Sequence, residues 1–332
     1  MAAAAPPATA EHDTDDDHHD DIPGCPAELA KRERAARDPP QRRAWAADLR
    51  AYVGQDAANW KEFKIADADA LKKFIPKCCD DDDVLYRFAL CRNHDLPSAS
   101  KRYFKFCAAL NDIGMTSLTA LTPEVVTGLN MRCWHILDTP DKKGRAVMNL
   151  YCKNLTWENV PVRAAQHCMI FMCWRHLTLF GYMGQVGGVV QGMYMEGMSM
   201  SMIKMEFEHF CTRCMTQMLP MKLAAGYMVD EPWSFRNVLW PMMKGMFKEK
   251  VRNRIVWVHK EPDEKKGRLV KYAELHEALP RDCIPLASGG TVSYVMSNYI
   301  AALEKQVATE EAVRVGALID AAESAKAAET KA

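Results

Sequence analysis

The clearest pattern in the chain lies in "SFRNVLWPMMKGMFKEKVRNRIVWV", residues 234–258. Phe235, Val238, Leu239, Met242, Met243, Met246 and Phe247 fall at i, i+3, i+4, i+7, i+8, i+11 and i+12, the spacing of a helix with one apolar face. That stripe gives way to Lys248, Lys250, Arg252 and Arg254, and then to a short strand, "IVWVH". Upstream the same two periods alternate. "RAVMNLY" reads as a strand, Pro161 to Phe180 as an apolar helix, "GVVQGMYME" as a strand, Met200 to Leu219 as a helix and "KLAAGYMV" as a strand. Strands alternating with helices of this length predict βαβ units and a mostly parallel sheet with right-handed crossovers.

Before residue 125 the pattern is helical throughout. Residues 28–77 read as helical pieces, among them the amphipathic "NWKEFKIADADALKKFI", which stops at Pro76. Asp80 to Asp83 place carboxylates where the dipole of the next helix, "VLYRFALCRNHDL", favours them. "SASKRYFKFCAAL" predicts a further helix with Ser98 as its N-cap, and a helical segment runs from near Pro123 to Asp138. The expected organisation is a disordered acidic tail (1–27), a helical domain (28–125), an α/β domain (126–300) and a C-terminal helix or loose tail (301–332). Leu177 to Met195 carries no charge over nineteen residues, close to the ~20 that a bilayer crossing needs. Gly181, Gly184, Gly187, Gly188 and Gly192 break it, so a helix end, a glycine loop and a buried strand are expected there, and no transmembrane segment.

Charge changes the picture in one respect. The formal net charge is zero, but residues 1–22 hold seven acidic side chains and no Lys or Arg. Without them the body carries 43 basic against 36 acidic groups, a balance suited to an anionic partner such as a membrane surface. His12, His18 and His19 among the tail aspartates could hold a divalent metal weakly, but a solvated acidic tail is the simpler reading. The twelve cysteines are scattered through apolar stretches. With no signal-peptide pattern at "MAAAAPPATA", they are expected to be reduced thiols of a cytosolic protein.

Catalytic motifs fail on spacing. His167-Cys168 is followed by six apolar residues before Arg175, where a phosphate-cradling cysteine loop needs five. Cys211 and Cys214 have the spacing of a redox pair but lie within a helix, away from the N-terminus that would stabilise a thiolate. "GYMGQVGG" lacks the spacing of a dinucleotide fingerprint, and no Walker loop or G-x-S-x-G element occurs. What stands out is methionine: thirteen of 21 lie between Met193 and Met246. Flexible, polarisable methionine suits a surface that adapts to an irregular apolar partner, although it also fills ordinary cores. Cations at a helix C-terminus are likewise favoured by the dipole alone, by ~0.3–1 kcal/mol each. An apolar stripe ending in a cationic edge favours a membrane-related role over either reading alone.

Together these segments resemble the CRAL-TRIO lipid-binding family, and within it the retinaldehyde-binding and tocopherol-transfer branch, over residues 83–295. The resemblance is carried by "VLYRFALCRNHDLPSASKRYFKF" with Arg87, Phe88 and Arg92, by "DKKGRAVMNLY", by "VVQGMYMEGMSMS", by the Glu231-Pro232-Trp233 element with the Lys250-x-x-x-Arg254 helix end, and by "IPLASGGT". The chain departs from the pattern at Tyr194, Ala224 and Ser288. The resemblance implies an α/β fold in which an N-terminal helical domain precedes a mostly parallel sheet with flanking helices. These enclose a hydrophobic lipid pocket closed by a gate helix. It implies a non-enzymatic, cytoplasmic carrier of one tocopherol-, retinoid-, isoprenoid- or phosphatidylinositol-type lipid, exchanged during transient contact with anionic membranes. Met193 and Met195 on the sheet wall and the seven-residue gate stripe would touch the lipid, while Arg92, Lys222, Lys250 and Arg254 would bind phosphoinositide. No metal, no nucleic acid and no cofactor beyond the lipid is expected. The alternative is a lipid-sensing adaptor that binds lipid without net transfer, and a thiol enzyme built on Cys211 and Cys214 stands a distant third.

Overall fold

The computed structural model describes residues 38–179, 187–247, 249–258, 272–293 and 297–310. The expected acidic tail, its histidine cluster and the chain beyond 310 lie outside the described residues. Six helices open the fold: α1 (Pro39–Val53), α2 (Ala57–Glu62), α3 (Ala68–Phe74), α4 (Asp82–Cys91), α5 (Leu96–Ile113) and α6 (Pro123–Leu129). At α4 the acidic run acts as its position suggests, since Asp81 caps the helix through the Asp83 N–H while Asp82 and Asp83 fill the first turn. The cap of α5 is Asp95 rather than Ser98: its Oδ1 accepts the Ser98 N–H, and the Ser98 hydroxyl donates to Oδ2. Pro97 is tolerated inside this helix because first-turn N–H groups have no intrahelical partner.

The sheet has five strands in the simple order β1 (Trp134–Ile136), β2 (Val147–Tyr151), β3 (Val189–Tyr194), β4 (Leu223–Val229) and β5 (Ile255–Val258). Strands β2 to β5 are parallel, and β1 pairs antiparallel to β2. The first strand overturns the helical reading of 123–138. The helix stops at Leu129, Arg132 takes a left-handed φ of 57°, and the next residues extend along the edge of β2. Three residues are too few for a period to show, so pairing decides. Helix α7 (Val162–Leu179) crosses from β2 to β3, and α8 (Met205–Arg213) with a π-turn (Cys214–Met218) crosses from β3 to β4. The uncharged stretch from Leu177 ends α7 and later forms β3, and no helix among the described residues is long and apolar enough to cross a membrane.

Strand parity divides the sheet into two faces. Val147, Tyr151, Val190, Tyr194, Tyr227, Val229 and Val258 pack beneath Leu275 of α9 (Ala273–Ala278) and beneath Leu279, Cys283 and Ile284. The opposite face, with Met148, Val189 and Met228, joins a larger core that also contains Phe88, Phe104, Phe106 and Leu110 of the helical part. The two parts are therefore cemented together. Phe106 stacks on Trp174 of α7 at 6.0 Å, Arg87 donates to the Leu177 carbonyl, and α6 packs on α7 so closely that a Cβ at Gly128 would sit 2.4 Å from the Ala164 oxygen. Residues 297–310 form a helix rather than a loose tail. It buries Leu303 and Val307, and both Arg175 guanidinium nitrogens donate to Glu310.

Between β4 and β5 the chain forms a segmented cover instead of the single long helix that the periodicity predicts. A π-turn (Phe235–Leu239) leads into one α-turn (Trp240–Met243), a 3₁₀ turn (Lys244–Met246) and a last short helix (Glu249–Arg252). Pro241 is the physical reason for the break: it has no N–H for the carbonyl four residues back, and its ring crowds that carbonyl. The wider π ladder, in which the Trp240 N–H reaches the Phe235 oxygen, absorbs the mismatch.

Candidate functional site

Under this cover lies a cavity of about 180 Å³. One water needs only ~10–15 Å³ on the same measure, so this is far more than a packing defect. Leu150, Gln191, Met193, Gly226, Met228 and Ile255 form its floor on the sheet. Met169 of α7 and Phe207, Glu208, Cys211 and Thr212 of α8 form one wall, and Phe235, Leu239, Trp240, Met243 and Phe247 form the cover's inner surface. Met198, Met215 and Met221 bring in more of the methionine-rich stretch.

The gate stripe divides. Phe235, Leu239, Met243 and Phe247, each four residues from the next, line the cavity. Val238 and Met242 face outward, 44% and 67% exposed. A straight α-helix would keep i+3 and i+4 positions together; the π-turn is wider, so its four-residue ridge turns inward and the i+3 positions turn away. The side chain of Met246 lies outside the described residues. Met193 reaches the cavity, but Met195 does not. It follows the end of β3 and is fully buried in the main core, because strand parity sets the face but not how far along it the open space extends.

Five cations contribute to the lining. Arg92 ends α4, Lys222 precedes β4, and Lys250 and Arg254 precede β5. Arg254 donates to the Leu223 carbonyl at 2.8 Å, fastening the cover's end to β4. The fifth, Arg102 of α5, was missed in the sequence; it is 5% exposed and reaches the Met215 and Met221 carbonyls. Its place on the buried face of "KRYFKF", one residue before Tyr103, is the signal that could have found it. Glu208 was missed as well. It lies three and four residues before Cys211 and Thr212, on their face of α8. Burial alone raises its carboxyl to a pKa of about 7, with no cation near enough to offset it. Burial also pushes the Cys211 and Cys214 thiols well up, the reverse of what a nucleophile or redox pair needs. Cys168 is fully buried and shifted the same way.

A mostly parallel sheet with α7 and α8 on one face and α9 on the other, and with a mostly apolar cavity between the first face and a segmented cover, has the geometry of a protein with an internal binding pocket. Residues 131–290 match the CRAL/TRIO domain, and over them the chain is a CRAL/TRIO domain, of a family that binds small hydrophobic lipids. Among solved structures, the crystal structure of Sfh5 is similar over 53% of this chain and 67% of its own, with 14% identity and a TM-score of 0.43. Comparison with curated proteins gives no match.

Proposed function

We propose that the protein carries one hydrophobic lipid in this cavity and exchanges it at anionic, phosphoinositide-containing membranes, without catalysing a reaction. The observation that carries this reading is the cover itself: Phe235, Leu239, Met243 and Phe247 border open space whose floor is the sheet, while the cover is pinned to β5 at its side, through Phe235 and Trp240 against Trp257. Burying four such side chains is worth roughly 1.5–3 kcal/mol each, so about 6–12 kcal/mol as an upper bound. An open cover in water forfeits much of that, whereas a bilayer supplies apolar contacts in exchange. Its outer surface suits the same event, since Trp233, Val238 and Met242 are 74%, 44% and 67% exposed on it, three large apolar side chains that a bilayer would cover. The cations at the cover's end fit phosphoinositide headgroups, and the ligand types named above all suit a methionine-rich wall.

Native mass spectrometry of the purified full chain should show one lipid mass per protein; repeated recovery as a folded, lipid-free species would overturn the carrier reading. Near a membrane surface each Lys or Arg adds ~1 kcal/mol of attraction to anionic lipid. Replacing both Lys222 and Lys250 by alanine should therefore weaken co-sedimentation with phosphoinositide vesicles about thirtyfold. Neutral vesicles should show little difference between the two proteins. Transfer between donor and acceptor vesicles separates the carrier from the lipid-sensing adaptor, which would bind lipid yet move it poorly.

A further inference from the structure

The two charge types in the cavity wall sit at opposite ends of the sheet. Lys222 and Arg254 lie just before β4 and β5, at the strands' N-terminal edge, and Arg102 reaches toward them through the Met221 carbonyl. Glu208 lies at the other edge. Its electrostatic neighbours are Cys152, directly after β2, Cys133, directly before β1, and Cys211 on its own helix. In the sheet Tyr151 aligns with Tyr194, Val229 and Val258. Leu223 to Val229 covers roughly 20 Å at ~3.3 Å per residue, which is the separation of the two edges.

Among the described residues the half-buried Glu208 has neither a hydrogen-bond partner nor an ion-pair partner for its carboxyl, and burial is the cause of its raised pKa. An acid left without a partner in a desolvated wall is costly to the folded protein, and this side chain lines the cavity. Every titratable group coupled to it is a thiol shifted upward by burial, so all are neutral and none offers a counter-charge. Behind Cys211, on α7, stands one more thiol, Cys173. Whatever occupies the cavity is placed to supply that partner.

We propose that Glu208 is the polar anchor of the cavity, accepting a hydrogen bond from the hydroxyl of an otherwise apolar lipid, which lies with that hydroxyl at the edge remote from the cations. A neutral hydroxyl suits the site better than an ammonium group. It can donate to the carboxylate and accept from the protonated acid, whereas an ammonium would have to be desolvated in full. This inference rests on the carrier reading and narrows its ligand to lipids with a hydroxyl on the end that enters first.

The test offers the full-length protein, stripped of lipid, three probes from neutral phosphatidylcholine vesicles: oleyl alcohol, its methyl ether and the matching hydrocarbon. Bound probe is then quantified by mass spectrometry. The alcohol should be retained about tenfold better than the ether, the factor expected of one hydrogen bond of ordinary net strength. In Glu208→Leu that ratio should fall to about one, and in Glu208→Gln, whose amide oxygen can still accept a hydrogen bond, part of it should survive. Equal uptake of all three probes by the native protein would overturn the anchor while leaving the carrier standing. Uptake of none would overturn the carrier itself. A ratio unchanged in Glu208→Leu, or a stronger preference for oleylamine, would also overturn the assignment.

Discussion

Replacing Gly226 by leucine will abolish lipid loading while leaving the protein at least as stable as before. Gly226 lies in the middle of β4 and lines the cavity floor. A Cβ there would meet only Ile255 Cγ1 and Leu223 Cδ2, each at 3.8 Å and in ordinary contact, so the backbone need not move. The added side chain has nowhere to go but into the open space. It replaces ligand contacts with permanent ones, and filling a cavity recovers ~20 cal/mol per Å² of cavity surface. Glycine within a strand also weakens it. Lipid recovered per protein by native mass spectrometry should fall at least tenfold, and the midpoint of thermal unfolding of lipid-free protein should stay or rise. Undiminished loading would mean that ligand does not occupy this cavity.

The second large effect concerns pH. A carboxyl whose folded pKa is about 7, against an ordinary 4.5, opposes folding whenever it must ionise. Below pH ~4.5 it is protonated in both folded and unfolded chains and costs nothing. As pH rises from there the unfolded chain releases its proton first, so stability falls until about pH 7 and is level above it. The full difference is about 3 kcal/mol at ~1.4 kcal/mol per pKa unit. Lipid-free Glu208→Gln should therefore be more stable than the native sequence by about 3 kcal/mol more at pH 8 than at pH 4. Urea denaturation at the two pH values measures it. A difference that does not change with pH would show that the carboxyl reaches water or a cation.

Much of this architecture was written in local patterns. The four parallel strands were legible because each combines apolar residues with a flanking helix or glycine turn, and the acids before α4 sat where a helix start needs them. The antiparallel strand Trp134–Ile136 was not legible, since its conformation is set by the edge of β2 and not by its own three residues. At the site, Arg92, Lys222, Lys250 and Arg254 were named from the family resemblance, and all four reach the cavity wall. Arg102 and Glu208 escaped notice because a charged side chain on a helix is ordinarily on the solvated face, and only the packing of α5 and α8 shows otherwise. The cover was misread for a different reason. Counting apolar positions at a 3.6-residue period assumes that the backbone keeps that period, and Pro241 forbids it. Val238 and Met242 then turn outward and Met195 stays in the core.

The joint between the helical part and the sheet has a consequence for how the molecule can be divided. The family match begins at residue 131, yet Phe106 rests on Trp174 and Arg92 and Arg102 come from before that boundary. Cutting there would strip the ring from one face of α7 and remove two of the five positive charges from the chamber wall. The smallest autonomous binding unit is thus larger than the homologous stretch, and the amino-terminal helices are part of the receptacle rather than an appendage to it.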